Sequence, residues 1–106
     1  MNQTIKLNPT ENTLIGRIKI DSGIVQVICD ATNGSFSVAL PDCGGRNIED
    51  ITLRFIRKDK IANNTVTLNP FMSQKINNSA TFTLSVPKLG YGSVIDLTTD
   101  GNNWWK

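Results

Sequence analysis

Apolar residues in this chain recur with a period of two in short runs, and no stretch of twelve residues keeps a helical period. Leu14, Ile18 and Ile20 fall on one side of a run in which Arg17 and Lys19 take the other. Phe36, Val38 and Leu40 alternate with Ser35, Ser37 and Ala39, and Ile51, Leu53 and Phe55 alternate with Thr52 and Arg54. Successive side chains of a strand point to opposite faces, so each run makes a strand with one face to bury. Turn formers separate the runs: Asp21-Ser-Gly23, Asn33-Gly34, Asn63-Asn64, Asn69-Pro70, Asn77-Asn78, Gly90-Tyr-Gly92 and Asp100-Gly101. Pro41 and Pro87 end strands because proline donates no ladder hydrogen bond. The pattern predicts an all-β fold, a small antiparallel β-sandwich or barrel-like module.

Within that frame, Leu14–Ile20 and Ile24–Cys29 read as a hairpin, and residues 14–106 as one β domain. Residues 1–13 are polar, bend at Pro9 and carry only Ile5 and Leu7 as apolar anchors. They read as an N-terminal arm whose two anchors contact a neighbouring surface; a first strand of the domain is the alternative. The 106 residues suit a single domain with one modest core. Some strands are apolar on both sides, as at Ile15 beside Leu14 and at Ile56 beside Phe55. A domain this small covers one face well, so the surplus points to self-association.

Chemistry is sparsely marked. With no histidine in the sequence, serine–histidine and cysteine–histidine nucleophiles are excluded. Asp21, Asp30, Asp42, Glu49, Asp50, Asp59, Asp96 and Asp100 sit mostly in expected turns, where such side chains bond their own backbone. A carboxylate pair for glycan hydrolysis is the third-ranked reading. The reading is no enzyme, no metal and no cofactor. Cys29 and Cys43 are too few for a disulfide framework, and whether they pair is left open. The N-terminus has no basic region followed by an apolar run, and no segment nears the roughly 18 apolar residues of a membrane helix. Synthesis in a cytoplasm, with no membrane partner, is expected.

Two clusters remain as contact candidates. Arg54, Arg57, Lys58 and Lys60 form the one local basic group and are read as a solvated strand face or as a charge-complementary contact with the protein surface that the chain binds. A net charge of +2 gives no case for nucleic acid, and Phe36, Phe55 and Phe82 lie on apolar strand faces, as core residues do. Trp104 and Trp105 are neighbours on an expected strand, so one indole enters the core while the other meets a subunit or, as a second choice, a sugar face.

Four segments in order carry a resemblance: Val38-Ala-Leu-Pro41 followed by Gly44-Gly45, Ile51-Thr-Leu-Arg-Phe-Ile56, Asn64-Thr-Val-Thr-Leu68, and Ser93-Val-Ile-Asp-Leu-Thr-Thr-Asp-Gly-Asn-Asn-Trp104. Over residues 24–106 the chain resembles small β modules of tailed-bacteriophage virions, found in capsid-decoration proteins, head fibres and tail fibres. The resemblance implies a trimer with a structural or attachment role, whose partners are other copies of itself and the major capsid protein or another virion protein. A single domain is expected to sit directly on a surface, which favours capsid decoration or a head fibre over a tail-fibre tip that binds a receptor or glycan. A far-ultraviolet circular dichroism spectrum should be dominated by strand, and a helical spectrum would end this reading.

Overall fold

A computed structural model describes residues 2–44, 48, 50–86 and 93–106 of the chain. All regular structure among the described residues is strand. The described residues form eight strands: β1 (Asn2–Leu7), β2 (Gly23–Cys29), β3 (Phe36–Ala39), β4 (Ile51–Arg57), β5 (Val66–Asn69), β6 (Phe82–Leu84), β7 (Ser93–Thr99) and β8 (Trp104–Trp105). They form two sheets, one of five strands in the order β1-β2-β4-β7-β8 and one of three in the order β3-β5-β6. The all-β expectation holds.

The expected antiparallel arrangement does not. β1 with β2, β2 with β4, and β3 with β5 pair in parallel. Only β4 with β7, β5 with β6, and β7 with β8 are antiparallel. From β2 to β5 the chain alternates between sheets, so each strand returns beside the one before last and runs in the same direction. Hydrophobic alternation fixes which face of a strand is buried but not the direction of its neighbour, which depends on the connection.

Two further expectations are corrected. Leu14–Ile20 is not a strand, and no hairpin joins it to β2. Leu14 is buried, but Arg17 N–H donates to Leu14 O (3.0 Å) in a turn, and Gln3 holds the segment by accepting from Lys19 N–H and donating to Arg17 O. The place beside β2 is taken by β1, in register from Asn2 with Ile24 to Leu7 with Cys29. Residues 1–13 are therefore not an arm: among the described ones, 2–7 form an edge strand, and Ile5 and Leu7 are core residues. Two anchors at i and i+2 suffice for a strand once a sheet edge supplies the backbone partners.

Odd-numbered positions of β1, β2, β4 and β7 face the core. Ile5, Val27, Phe55 and Ile95 form one cross-strand row, and Val25, Leu53 and Leu97 form the next. Phe36, Val38, Val66, Leu68 and Leu84 of the three-stranded sheet belong to the same buried cluster. The same parity puts Arg57 inside, beside Cys29 in register, and it is 3% exposed. Sequence proximity to Lys58 and Lys60 grouped it with a basic surface; strand parity separates it from them.

Arg57 and the equally buried Asp59 make a closed polar node. The guanidinium donates through Nε to Asp59 Oδ1 and through Nη2 to Asp59 Oδ2, both at 3.1 Å. Nη1 donates to Leu84 O in the other sheet (2.8 Å), and Nη2 reaches Ile61 O and Asn64 O. Asp59 also accepts from the amides of Ala31 and Ile61. Burial alone would raise the Asp59 carboxyl, but the Arg57 hydrogen bonds and these two amides outweigh it and hold it at about 2. Burial pushes the Cys29 thiol up to about 12 despite the nearby guanidinium. Cys29 and Cys43 are both free and buried, which closes the question of their pairing.

Breaking a buried pair from one side leaves a charge without its partner, so Asp59→Asn should lower unfolding free energy by about 3–5 kcal/mol, read by urea titration. Because folding depresses the Asp59 pKa, its contribution is complete above about pH 4 and is lost as pH falls towards 2. Urea midpoints measured between pH 5 and 2 should therefore drop for the parent and drop less for Asp59→Asn.

Candidate interaction surface

Even-numbered positions of β1, β2, β4 and β7, with Trp105 of β8, form the outer face of the five-stranded sheet. Register places them in three rows. Lys6, Ile28, Ile56 and Val94 make the first, and Thr4, Gln26, Arg54 and Asp96 the second. Asn2, Ile24 and Thr52 begin the third, which reaches Thr98 by continuation of the β4–β7 register and Trp105 through its pairing with Thr98. Ile24, Ile28 and Ile56 are half-buried and Val94 is 48% exposed, so two of the rows carry apolar surface open to solvent.

The middle row holds the one surface ion pair among the described residues. Arg54 Nε donates to Asp96 Oδ1 at 2.8 Å and Nη2 to Asp96 Oδ2 at 3.0 Å, a two-pronged match of guanidinium to carboxylate. Hydrogen bonding from Arg54 holds the Asp96 carboxyl below the usual carboxylate range, against a smaller opposing effect of burial. Both side chains keep substantial contact with water, so the pair adds little to stability. It places one positive and one negative group side by side at the centre of the face.

Beyond the first row, a shallow cavity of about 310 Å³ is lined by Lys6, Leu7, Asn8, Ile28, Asp30 and Lys58. Lys58 follows the last residue of β4 and is exposed there; Lys60 is exposed in the loop that leads to β5. Of the four basic residues grouped in the sequence, Arg54 lies on the outer face, Lys58 at its rim, Lys60 in a loop and Arg57 inside.

The paired tryptophans divide as strand geometry requires. Trp104 pairs with Thr99 on the inner side and has no exposed surface, while Trp105 pairs with Thr98 on the outer side and is half-buried. The corner that receives Trp104 is built from three segments. Trp104 N–H donates to Lys75 O (2.8 Å), and Trp104 O accepts from Asn77 N–H (3.0 Å). Asn77 and Asn78 take φ of 48° and 68° in the tight turn between Ile76 and Ser79, a conformation that asparagine tolerates better than most residues. Gln74 bridges to Asp42 and to the amide of Cys43, closing the third side. The Trp104 indole N–H is buried with no hydrogen-bond partner among the described residues.

Trp105 is held differently. Its Nε1–H donates to Asp100 Oδ2 at 2.9 Å, while Asp100 Oδ1 accepts from the amides of Asn102 and Asn103. The amides of Asn103 and Asn102 and the indole together hold the Asp100 carboxyl below its ordinary range. Gly101, with φ of 93°, gives the turn its left-handed residue. The indole is thus fixed on the outer face, at the edge nearest β7.

Arg54 and Trp105, read separately in the sequence, are therefore brought to one face. Lys58 stands at its rim and Lys60 in the loop that leads to β5, whereas Ile5, Leu7, Arg57 and Trp104 are inside the protein. The apolar members of the face, Ile24, Ile28 and Val94, were missed as site residues, although their even numbering within recognised strands carried the signal. Gly45, Glu49, Pro87 and the Gly90-Tyr-Gly92 turn, each used in the sequence reading, lie outside the described residues. Protein-family models, curated proteins and solved structures, all compared with the chain, give no match.

The burial difference sets a testable contrast. Trp104→Ala removes a fully buried indole and should cost about 3–5 kcal/mol, whereas Trp105→Ala should cost about 1 kcal/mol or less in the isolated chain. Thermal melts of the two variants, recorded at low concentration, should separate accordingly.

Proposed function

We propose that this chain is a non-enzymatic structural protein of a tailed-phage virion, a capsid-decoration or head-fibre protein that works as a homotrimer. In this reading the two sheets are the layers of an open sandwich, made in the host cytoplasm and mounted on the particle. The observation that carries it is the ordered set of strand and turn segments, from Val38-Ala-Leu-Pro41 to the Asp100-Gly101 turn that delivers Trp104. These segments resemble virion modules in order and spacing, and each contributes a strand to one of the two sheets: β3, β4, β5, and β7 with β8. The outer face supports the same reading. It is a sheet surface with apolar rows and a central ion pair, suited to a protein contact more than to enclosing a small substrate. A protein bound there adds buried interface to the shell and stabilises the assembled particle over its parts.

Trp105 keeps a second reading in view, a receptor- or glycan-binding tip. An indole half exposed beside Asp100, Asn102 and Asn103 offers a ring face next to hydrogen-bonding groups, the usual chemistry of a sugar contact.

Labelled protein should appear on the shell of purified particles by electron microscopy, and particles lacking it should break at lower temperature. Label confined to the tail tip, together with loss of cell attachment in Trp105→Ala, would replace this proposal with the glycan reading.

A further inference from the structure

The outer face of the five-stranded sheet is complementary to itself about one particular axis. In the middle row Arg54 and Asp96 stand opposite each other on adjacent strands, in direct register. Consider a two-fold axis parallel to the strands and lying above the line between β4 and β7. It sets β4 of one copy over β7 of the other at the same height, and β2 over β8. Arg54 then faces Asp96 of the second copy, and Asp96 faces its Arg54. In the first row Ile56 meets Val94, and in the third row Thr52 meets Thr98. β2 over β8 brings Ile24 against Trp105, so the indole fixed by Asp100 lands on an apolar side chain.

The charges also discriminate between axes. An axis above β4 itself would set Arg54 against Arg54, and one above β7 would set Asp96 against Asp96. Only the line between them gives opposite charges twice, so the ion pair fixes the register while the apolar rows supply the attraction. We infer that this face is a contact between two copies of the chain, packed sheet on sheet about that two-fold axis, with the strands of the two copies roughly aligned as in other face-to-face packings. The inference is independent of the virion reading. If the chain is also a trimer through another surface, the same contact joins two trimers.

The face is small. Four strands at about 4.8 Å spacing and roughly 20 Å of strand length cover less than a standard interface. The contact should therefore close at tens to hundreds of micromolar in solution, and more readily where copies are held close together on a surface.

Charge exchange tests it without disturbing the core, since Arg54 and Asp96 are both at the surface. Arg54→Asp is acidic at both positions, and Asp96→Arg is basic at both. Each alone sets like charges against like across the axis, and each also loses the pair within the chain. Mixed in equal amounts, they restore both cross-contacts while leaving the internal pair broken in every copy. Sedimentation equilibrium up to about 500 µM should show the parent doubling, from monomer to dimer or from trimer to hexamer. Each single variant should stay undoubled, and the mixture should double again. A parent that never doubles, or a mixture that stays undoubled while the parent doubles, overturns the proposal. A trimer without doubling would sink this contact and leave the trimer reading standing; a dimer without trimer would do the reverse.

Discussion

The Arg57–Asp59 node is the joint on which the two sheets depend. Arg57 ends β4 in the five-stranded sheet, and its guanidinium bonds Leu84 O of β6 in the other. Asp59 adds the amide of Ala31, just after β2, and Asn64 donates to Ala31 O, so the loop between β4 and β5 is sewn to the exit of β2. Apolar packing draws two sheets together without direction. A buried ion pair bonded to three loop and strand carbonyls is directional, and it admits one relative placement. Whether it adds net stability over an apolar substitute is a separate matter, because desolvating two charges is costly.

The node also explains an odd feature of the basic cluster. A run of Arg57, Lys58, Asp59 and Lys60 looks like a solvated strand end. It splits by parity and by pairing: Arg57 and Asp59 turn inward onto each other, and Lys58 and Lys60 turn out. Strand alternation continued four residues past Phe55 would have flagged the split, since Leu53, Phe55, Arg57 and Asp59 share one parity.

Much of the fold was legible because local rules wrote it. β3, β4, β5 and β7 follow alternation and its turn signals, and the division of Trp104 from Trp105 follows from strand geometry alone. The parallel pairings were not legible, because they depend on where a distant strand lands. Nor was the role of residues 2–7, whose two buried side chains gain meaning only beside β2. Leu14–Ile20 alternates as a strand should, yet Gln3 and the turn at Arg17 hold it irregular while β1 occupies the edge it would have used. Half of the outer face was readable from Arg54 and Trp105; the other half required register, which no single strand contains.

The alternation between sheets has a kinetic consequence. Asn2 pairs with Ile24, Ile24 with Thr52 and Phe36 with Val66, so the parallel ladders cannot grow from neighbouring segments as the β7–β8 turn can. A hairpin protein can zip locally and add strands in order. Here the closing entropy of long loops is met before the first parallel ladder forms, which makes folding slow for so short a chain. Until β4 arrives between them, β2 and β7 each present an unpaired edge, and half-made sheets with open edges are the species most prone to join their neighbours wrongly.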